Sequence, residues 1–355
     1  MTRKPSYRWL VSRETLERAN RYLDALQTGR QSPGRYLARV LDRRGGWPDS
    51  PEALLGALLQ TKKPCIFAES AVAGDGSDWT VEEISLLGDI ACQVPVTVFD
   101  DGRWQRPEIH RPPFPAQLLF VPGALLQDLR QAPSPDRVEV APDVRLDPDA
   151  YERLYRRRLL PVFDAIEAAA AEEGVLTVVT IPGLGCGQFA GAFTGVKALL
   201  AETLRRILER HAGRWPHLRL VHFDPFDGVA PESRQIAPGL HYRVWPLTST
   251  QGIPQLSRVT EFDAGDGHLE NARLFSLVAW DHVSWPGNDF YAGSRNTDDG
   301  VKAAATDSMY RMTGIEGRYD PHLCQYRPPT GFRNWYDVVQ AQGIRLQTHD
   351  NLSVF

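Results

Sequence analysis

The apolar positions of this chain gather into short runs bounded by Gly, Pro and Asp: residues 65–68 (CIFA), 94–99 (VPVTVF), 116–122 (AQLLFVP), 176–182 (LTVVTIP), 218–226 (LRLVHFDPF), 241–247 (HYRVWPL) and 274–280 (LFSLVAW). Runs this short, rich in β-branched and aromatic residues, predict buried strands. Helical spacing appears elsewhere. Residues 12–63 predict three short helices with N-caps at Ser12, Ser32 and Ser50, and with Leu16, Tyr22 and Leu23, then Tyr36, Leu37, Val40 and Leu41, then Leu54, Leu55, Leu58 and Leu59 facing inward. Further helices are expected over residues 148–173, closed by Gly174, over 192–211 and 300–309, and around 337–339. The Pro-rich stretches 106–115 and 132–148 read as connections.

Strand, helix and strand between residues 176 and 226 predict a right-handed crossover joining a parallel pair, and ligands in such sheets bind beyond the carboxyl ends of the strands. About seven strands with helices on both faces make an α/β layered domain. Residues 1–63 are expected to form a helical cap, or a partner-binding arm, on a domain of residues 64–355. No internal repeat is visible.

Composition narrows the classes. With 42% hydrophobic residues the chain can build a sizeable core, and a net charge of −4 argues against a general nucleic-acid binder. The basic stretch 151–160 (YERLYRRRLL) suits a helix with its arginines in solvent. Cys65, Cys92, Cys186 and Cys324 have no CxxC spacing, so neither a zinc site nor a disulfide framework is expected, and a reducing, cytoplasmic location follows. No stretch approaches the run of about 18 apolar residues that a membrane span requires, so no membrane partner is expected.

Candidate chemistry sits in two loops. Residues 276–313 carry Asp281, Asp289, Asp298 and Asp299 where a packed strand gives way to a polar loop and then a helix. Carboxylates there can orient a water, hydrogen-bond a ribose hydroxyl or assist a leaving group; equally, Asp298 and Asp299 suit an N-cap pair, and clustered aspartates suit Mg²⁺ or Ca²⁺. The second loop, GLGCGQFAG at residues 183–191, lies between a strand and a helix, where backbone amides can approach a diphosphate. It fits neither a P-loop nor a dinucleotide fingerprint, and a tight turn without ligand is the other reading. Cys186 has no histidine placed to activate it as a nucleophile. Glu69, Asp75 and Asp78, in residues 69–79, suit a surface turn or a polar cleft wall.

These loops together resemble the macrodomain superfamily of ADP-ribose binders and hydrolases. TIPGLGCGQFAG with the strand LRLVHFDPF resembles its second phosphate loop, and AWDHVSWPGNDF…TDDGVKAA its first, in an order that implies circular permutation. From about residue 64 to 336 the chain is more specifically similar to the macrodomain-like ADP-ribosylhydrolases typified by the bacterial effector MavL, which remove ADP-ribose from an arginine of ubiquitin. The resemblance implies a three-layer α/β/α fold with a mixed central sheet, an acidic site at Asp281, Asp289 and Asp299, and no cofactor or metal. Gly183, Leu184, Gly185, Cys186, Gly187, Gln188 and Phe189 are expected to hold ADP-ribose, together with Asn288 and Asp298. Asp224 would accept a hydrogen bond from adenine, and Phe226 or Phe223 would stack on it unless these rings are core. The expected partner is an ADP-ribosylated protein such as ubiquitin, met in the cytosol or after delivery into another cell. A non-catalytic ADP-ribose reader and a metal-dependent nucleotide phosphohydrolase are the competing readings.

Overall fold

The computed structural model describes residues 7–66, 78–129, 132–262 and 269–355. In chain order the elements are β1 (Arg8–Val11), α1 (Arg13–Gln27), α2 (Arg35–Arg44), α3 (Pro51–Leu59), α4 (Val81–Gly88), β2 (Ala91–Asp100), β3 (Ile109–Pro122), α5 (Pro135–Val140), α6 (Pro148–Glu173), β4 (Leu176–Pro182), α7 (Val196–His211), β5 (Leu218–Asp224), β6 (Glu232–Ala237), β7 (Leu240–Val244), β8 (Ala272–Trp280), α8 (Asn288–Tyr291), α9 (Asp298–Ala305), α10 (Ser308–Thr313), β9 (Arg318–Asp320), β10 (Gln325–Arg327), α11 (Trp335–Gln342) and β11 (Leu352–Val354). Nine strands form one mixed sheet in the order β11-β1-β2-β3-β8-β4-β5-β7-β6. The run from β3 through β8, β4 and β5 to β7 is parallel, which brings the carboxyl ends of β4 and β8 side by side.

Alternation along the central strands separates two cores, one per face. Leu118, Phe120, Val178, Leu220, Leu274 and Val278 pack against α1 to α4 and α9 to α11. Leu119, Val121, Val179, Ile181, Val221, Phe223, Phe275 and Leu277 pack against α6 and α7. The result is the three-layer α/β/α arrangement. Residues 8–11 belong to the main sheet: β1 pairs with β2 and β11, and Trp9 stacks on Trp280 with centroids 6.4 Å apart.

Several expectations change. Cys65 and Ile66 lie outside any strand, because the Ile66 backbone is taken by the Asn288 side-chain amide; the rest of that run, and Glu69 and Asp75, fall outside the described residues. The first α2 cap is Gly34, not Ser32, whereas Ser12 and Ser50 accept from Thr15 N and Ala53 N. Residues 109–115 continue β3, since β2 supplies their partners, and residues 135–140 form α5. The helix expected over 300–309 is broken between α9 and α10, where Asp307 Oδ1 accepts the Thr97 amide at 2.6 Å. In the basic stretch, Arg157 and Arg158 are buried rather than solvated, because Asp89, Asp136 and Glu139 pair with them. Buried guanidinium is tolerated only with such partners.

Candidate functional site

At the carboxyl end of β4 the glycine loop turns beside the end of β3. Gly185 has φ +70, which favours glycine, and a Cβ there would meet the Ala124 backbone at 2.7 Å. Tyr155 fixes the pair: its hydroxyl donates to Leu184 O at 2.6 Å and accepts from Ala124 N at 3.0 Å. Leu126 N and Gln127 N both donate to Phe189 O. Among the described residues, the amides of Gly185, Gly187 and Gln188 donate to no protein group, which leaves them available to an anion.

At the carboxyl end of β8 the acids do structural work as well. Asp281 Oδ1 accepts from Val283 N and Ser284 N, both at 2.7 Å, and Oδ2 from the Ser284 hydroxyl. Asp299, in the first turn of α9, accepts from Gly287 N at 2.8 Å and Asn288 N at 2.9 Å. Asp298 accepts from Ala279 N at 2.8 Å and from Lys302 Nζ at 3.1 Å. Asn288 holds both the N–H and the C=O of Ile66.

One cavity of about 600 Å³ joins the two loops. Its wall includes Gly183, Gly185, Gly187, Gln188 and Phe189 on one side and Asp281, Asn288, Asp289, Asp298 and Asp299 on the other. Residues 7–332 match the family model described as macrodomain effector MavL. The chain belongs to the MavL macrodomain effector family. No curated protein matches the chain. Membership makes it a macrodomain protein with the ADP-ribose-related function of that fold. No helix among the described residues is long and apolar enough to cross a membrane.

Five residues named from sequence as ADP-ribose contacts lie off the wall of this cavity. Leu184 is a buried anchor of the second core. The Cys186 thiol faces Leu184 O, and burial pushes it up to about 12, far from thiolate chemistry. Asp224 is internally satisfied: Phe226 N and Leu247 N donate to it at 2.8 Å and Gln255 Nε2 at 3.0 Å, and burial raises its carboxyl. Phe223 is core, whereas Phe226 is exposed at φ +68 beyond the end of β5. Conversely, the wall includes Cys65, Trp280, Ser294, Asn296 and Thr297, which sequence reasoning missed. Ser294 to Thr297 were legible as the polar stretch between Asp289 and Asp298; Cys65 had no such signal.

The electrostatics of this macrodomain site bear most on Asp299. Burial, then the Asp281 charge, then that of Asp289 push the Asp299 carboxyl well above its ordinary range, against the pull of its two amide donors. Lys302 is buried, with Nζ donating to Gln255 Oε1 at 2.8 Å and to Leu277 O; burial lowers its pKa while Asp298 opposes. Behind the acidic loop His282 is fully buried and 3.3 Å from Asp136, and Arg158 bonds Asp136 at 2.7 Å and Asp89 at 3.2 Å. Burial alone would raise Asp136, but Arg158 and His282 together hold it well below the usual carboxylate range.

Proposed function

We propose that the chain is an ADP-ribosylhydrolase that cleaves the C1″ N-glycosidic bond between ADP-ribose and an arginine side chain, with ubiquitin as the modified protein. One observation carries this reading: an amide-lined glycine loop and four carboxylates share a cavity of about 600 Å³. That volume suits a small-molecule ligand. In this reading the diphosphate meets the amides of Gly185, Gly187 and Gln188, which leaves the distal ribose beside Asp289 and Asp299. Those two position the ribose and a water, and Asp281 assists proton transfer. Water adds to C1″ as the C1″–N bond breaks, and the guanidine leaves carrying the proton. An acidic wall stabilises both the cationic guanidinium and the oxocarbenium-like charge that develops on the ribose.

A non-hydrolysing ADP-ribose reader is favoured by a different observation. Asp281, Asp298 and Asp299 all accept backbone amides, so each already serves the shape of its loop. Arginine-ADP-ribosylated ubiquitin, incubated with the protein with and without EDTA, separates the readings. Release of free ADP-ribose that survives EDTA and falls about 100-fold or more in Asp289→Ala is the expected outcome. Tight binding without turnover would assign a reader, and loss in EDTA a metal-dependent reaction.

A further inference from the structure

Arg35, Arg39 and Arg43 recur every four residues along α2 and so share one face of it. Arg35 pairs with Asp78. Arg39 and Arg43 have no carboxylate partner among the described residues, and neither has Lys63. These three cations line a second cavity of about 430 Å³ with Tyr36, Gln60 and Thr61. Asp42 is the one carboxylate on its wall among the described residues. Lys63 lies half-buried with Nζ 3.8 Å from the centroid of the Tyr36 ring. Burial, with the charges of Arg39, Arg43 and Arg35, pushes its pKa down against the opposing pull of Asp78. On the wall three cations face Asp42, and with Arg35 and Asp78 beside them four cations stand against two carboxylates, a local positive potential that an anion would relieve.

The position of this cavity selects the anion. Lys63 lines it, and Cys65 lines the site described above. Two residues span at most about 7 Å, so the two depressions are neighbours. The link to the acidic loop is also direct: Lys63 N donates to Val283 O at 2.9 Å and Trp285 N to Lys63 O at 2.7 Å, two to four residues past Asp281. In the hydrolase reading a protein presenting an ADP-ribosylated arginine to Asp281 and Asp289 extends over Lys63. The diphosphate of the ligand, by contrast, has the glycine-loop amides.

We propose that Arg39, Arg43 and Lys63 form a docking site for carboxylate side chains of the modified protein, next to the arginine that bears ADP-ribose. The proposal rests on the hydrolase reading for its substrate. Two synthetic peptides test it, each with one ADP-ribosylated arginine, flanked by glutamates in one and by glutamines in the other. The wild-type protein is expected to favour the glutamate peptide about tenfold in kcat/KM, chiefly through KM, and the preference is expected to fade at high salt. In Arg39→Glu/Arg43→Glu the preference falls to about twofold or less, while turnover of the glutamine peptide is unchanged. Equal rates for the two peptides in the wild type, or a preference that survives the double substitution, overturns the proposal. Inorganic phosphate that inhibits both peptides equally, in a manner abolished by the double substitution, would assign the cavity to a phosphate and overturn it too. If neither peptide is hydrolysed the hydrolase reading fails by itself, and the measured affinities of the same two peptides decide the docking site instead.

Discussion

Lys62 shows how much the surroundings of one residue decide. It is fully buried, its Nζ donates to His282 O at 2.6 Å, and it lies 3.9 Å from the centroid of the Trp280 ring, directly behind the acidic loop. Burial, opposed by Asp281, lowers its pKa from 10.5 to about 7. Folding therefore releases a proton between about pH 7 and pH 10, so the stability contributed at this position rises with pH across that window and is at its lowest below pH 7. Chemical denaturation at pH 7 and pH 9 should show the wild type gaining about 2 kcal/mol more than Lys62→Met. Equal gains would mean that Lys62 is solvated. Nothing in the local sequence TKKP distinguishes Lys62 from Lys63, yet one is enclosed beneath the acidic loop and the other faces a basic cavity. The acids at 281, 289, 298 and 299 were legible as residue types. The backbone partners of Asp281, Asp298 and Asp299 were not, because those amides, in the turns after β8 and at the end of β8 itself, meet the carboxylates only in the folded loop.

At the level of elements, the end of β3 and the glycine loop are packed backbone to backbone. A Cβ on Gly123 would sit 2.1 Å from Gly185 N, a backbone atom that cannot swing aside. Gly123→Ala is thus expected to push the loop off the strand end, weakening ADP-ribose binding about tenfold and destabilising the fold by about 1–3 kcal/mol. Calorimetric titration with ADP-ribose and a thermal melt check this; an unchanged affinity would place the diphosphate away from the glycine loop. The elements that were legible share a physical trait. The central strands β4, β5 and β8 are buried on both faces and so read as continuous apolar runs, and α6 ends at Gly174 as its sequence predicts. β6 (ESRQIA) is a largely exposed edge strand, and β1 and β11 are only four and three residues long, so none offered a pattern to detect.

Across the whole molecule, the N-terminal segment and the chain's end meet in one sheet. β1 lies between β11 and β2, and Trp9 is buried against Trp280 at the end of the strand that leads into Asp281. A fragment of residues 64–355 would lose that strand and the helices α1 to α3, leaving the β2 edge unpaired and one face of the core open. Its circular-dichroism melt should show no cooperative transition; a folded fragment that binds ADP-ribose would make the segment dispensable. The sequence by itself determined the α/β class, the parallel crossover around the glycine loop and the two chemical loops, because periodicity, glycine and charge act over neighbouring residues. Only the tertiary structure decided that these loops, about a hundred residues apart, share a cavity, that Asp224 is already satisfied, and that Arg157 and Arg158 are buried. Each of those outcomes depends on partners distant in the chain, whose approach is set by strand order and packing rather than by any local pattern.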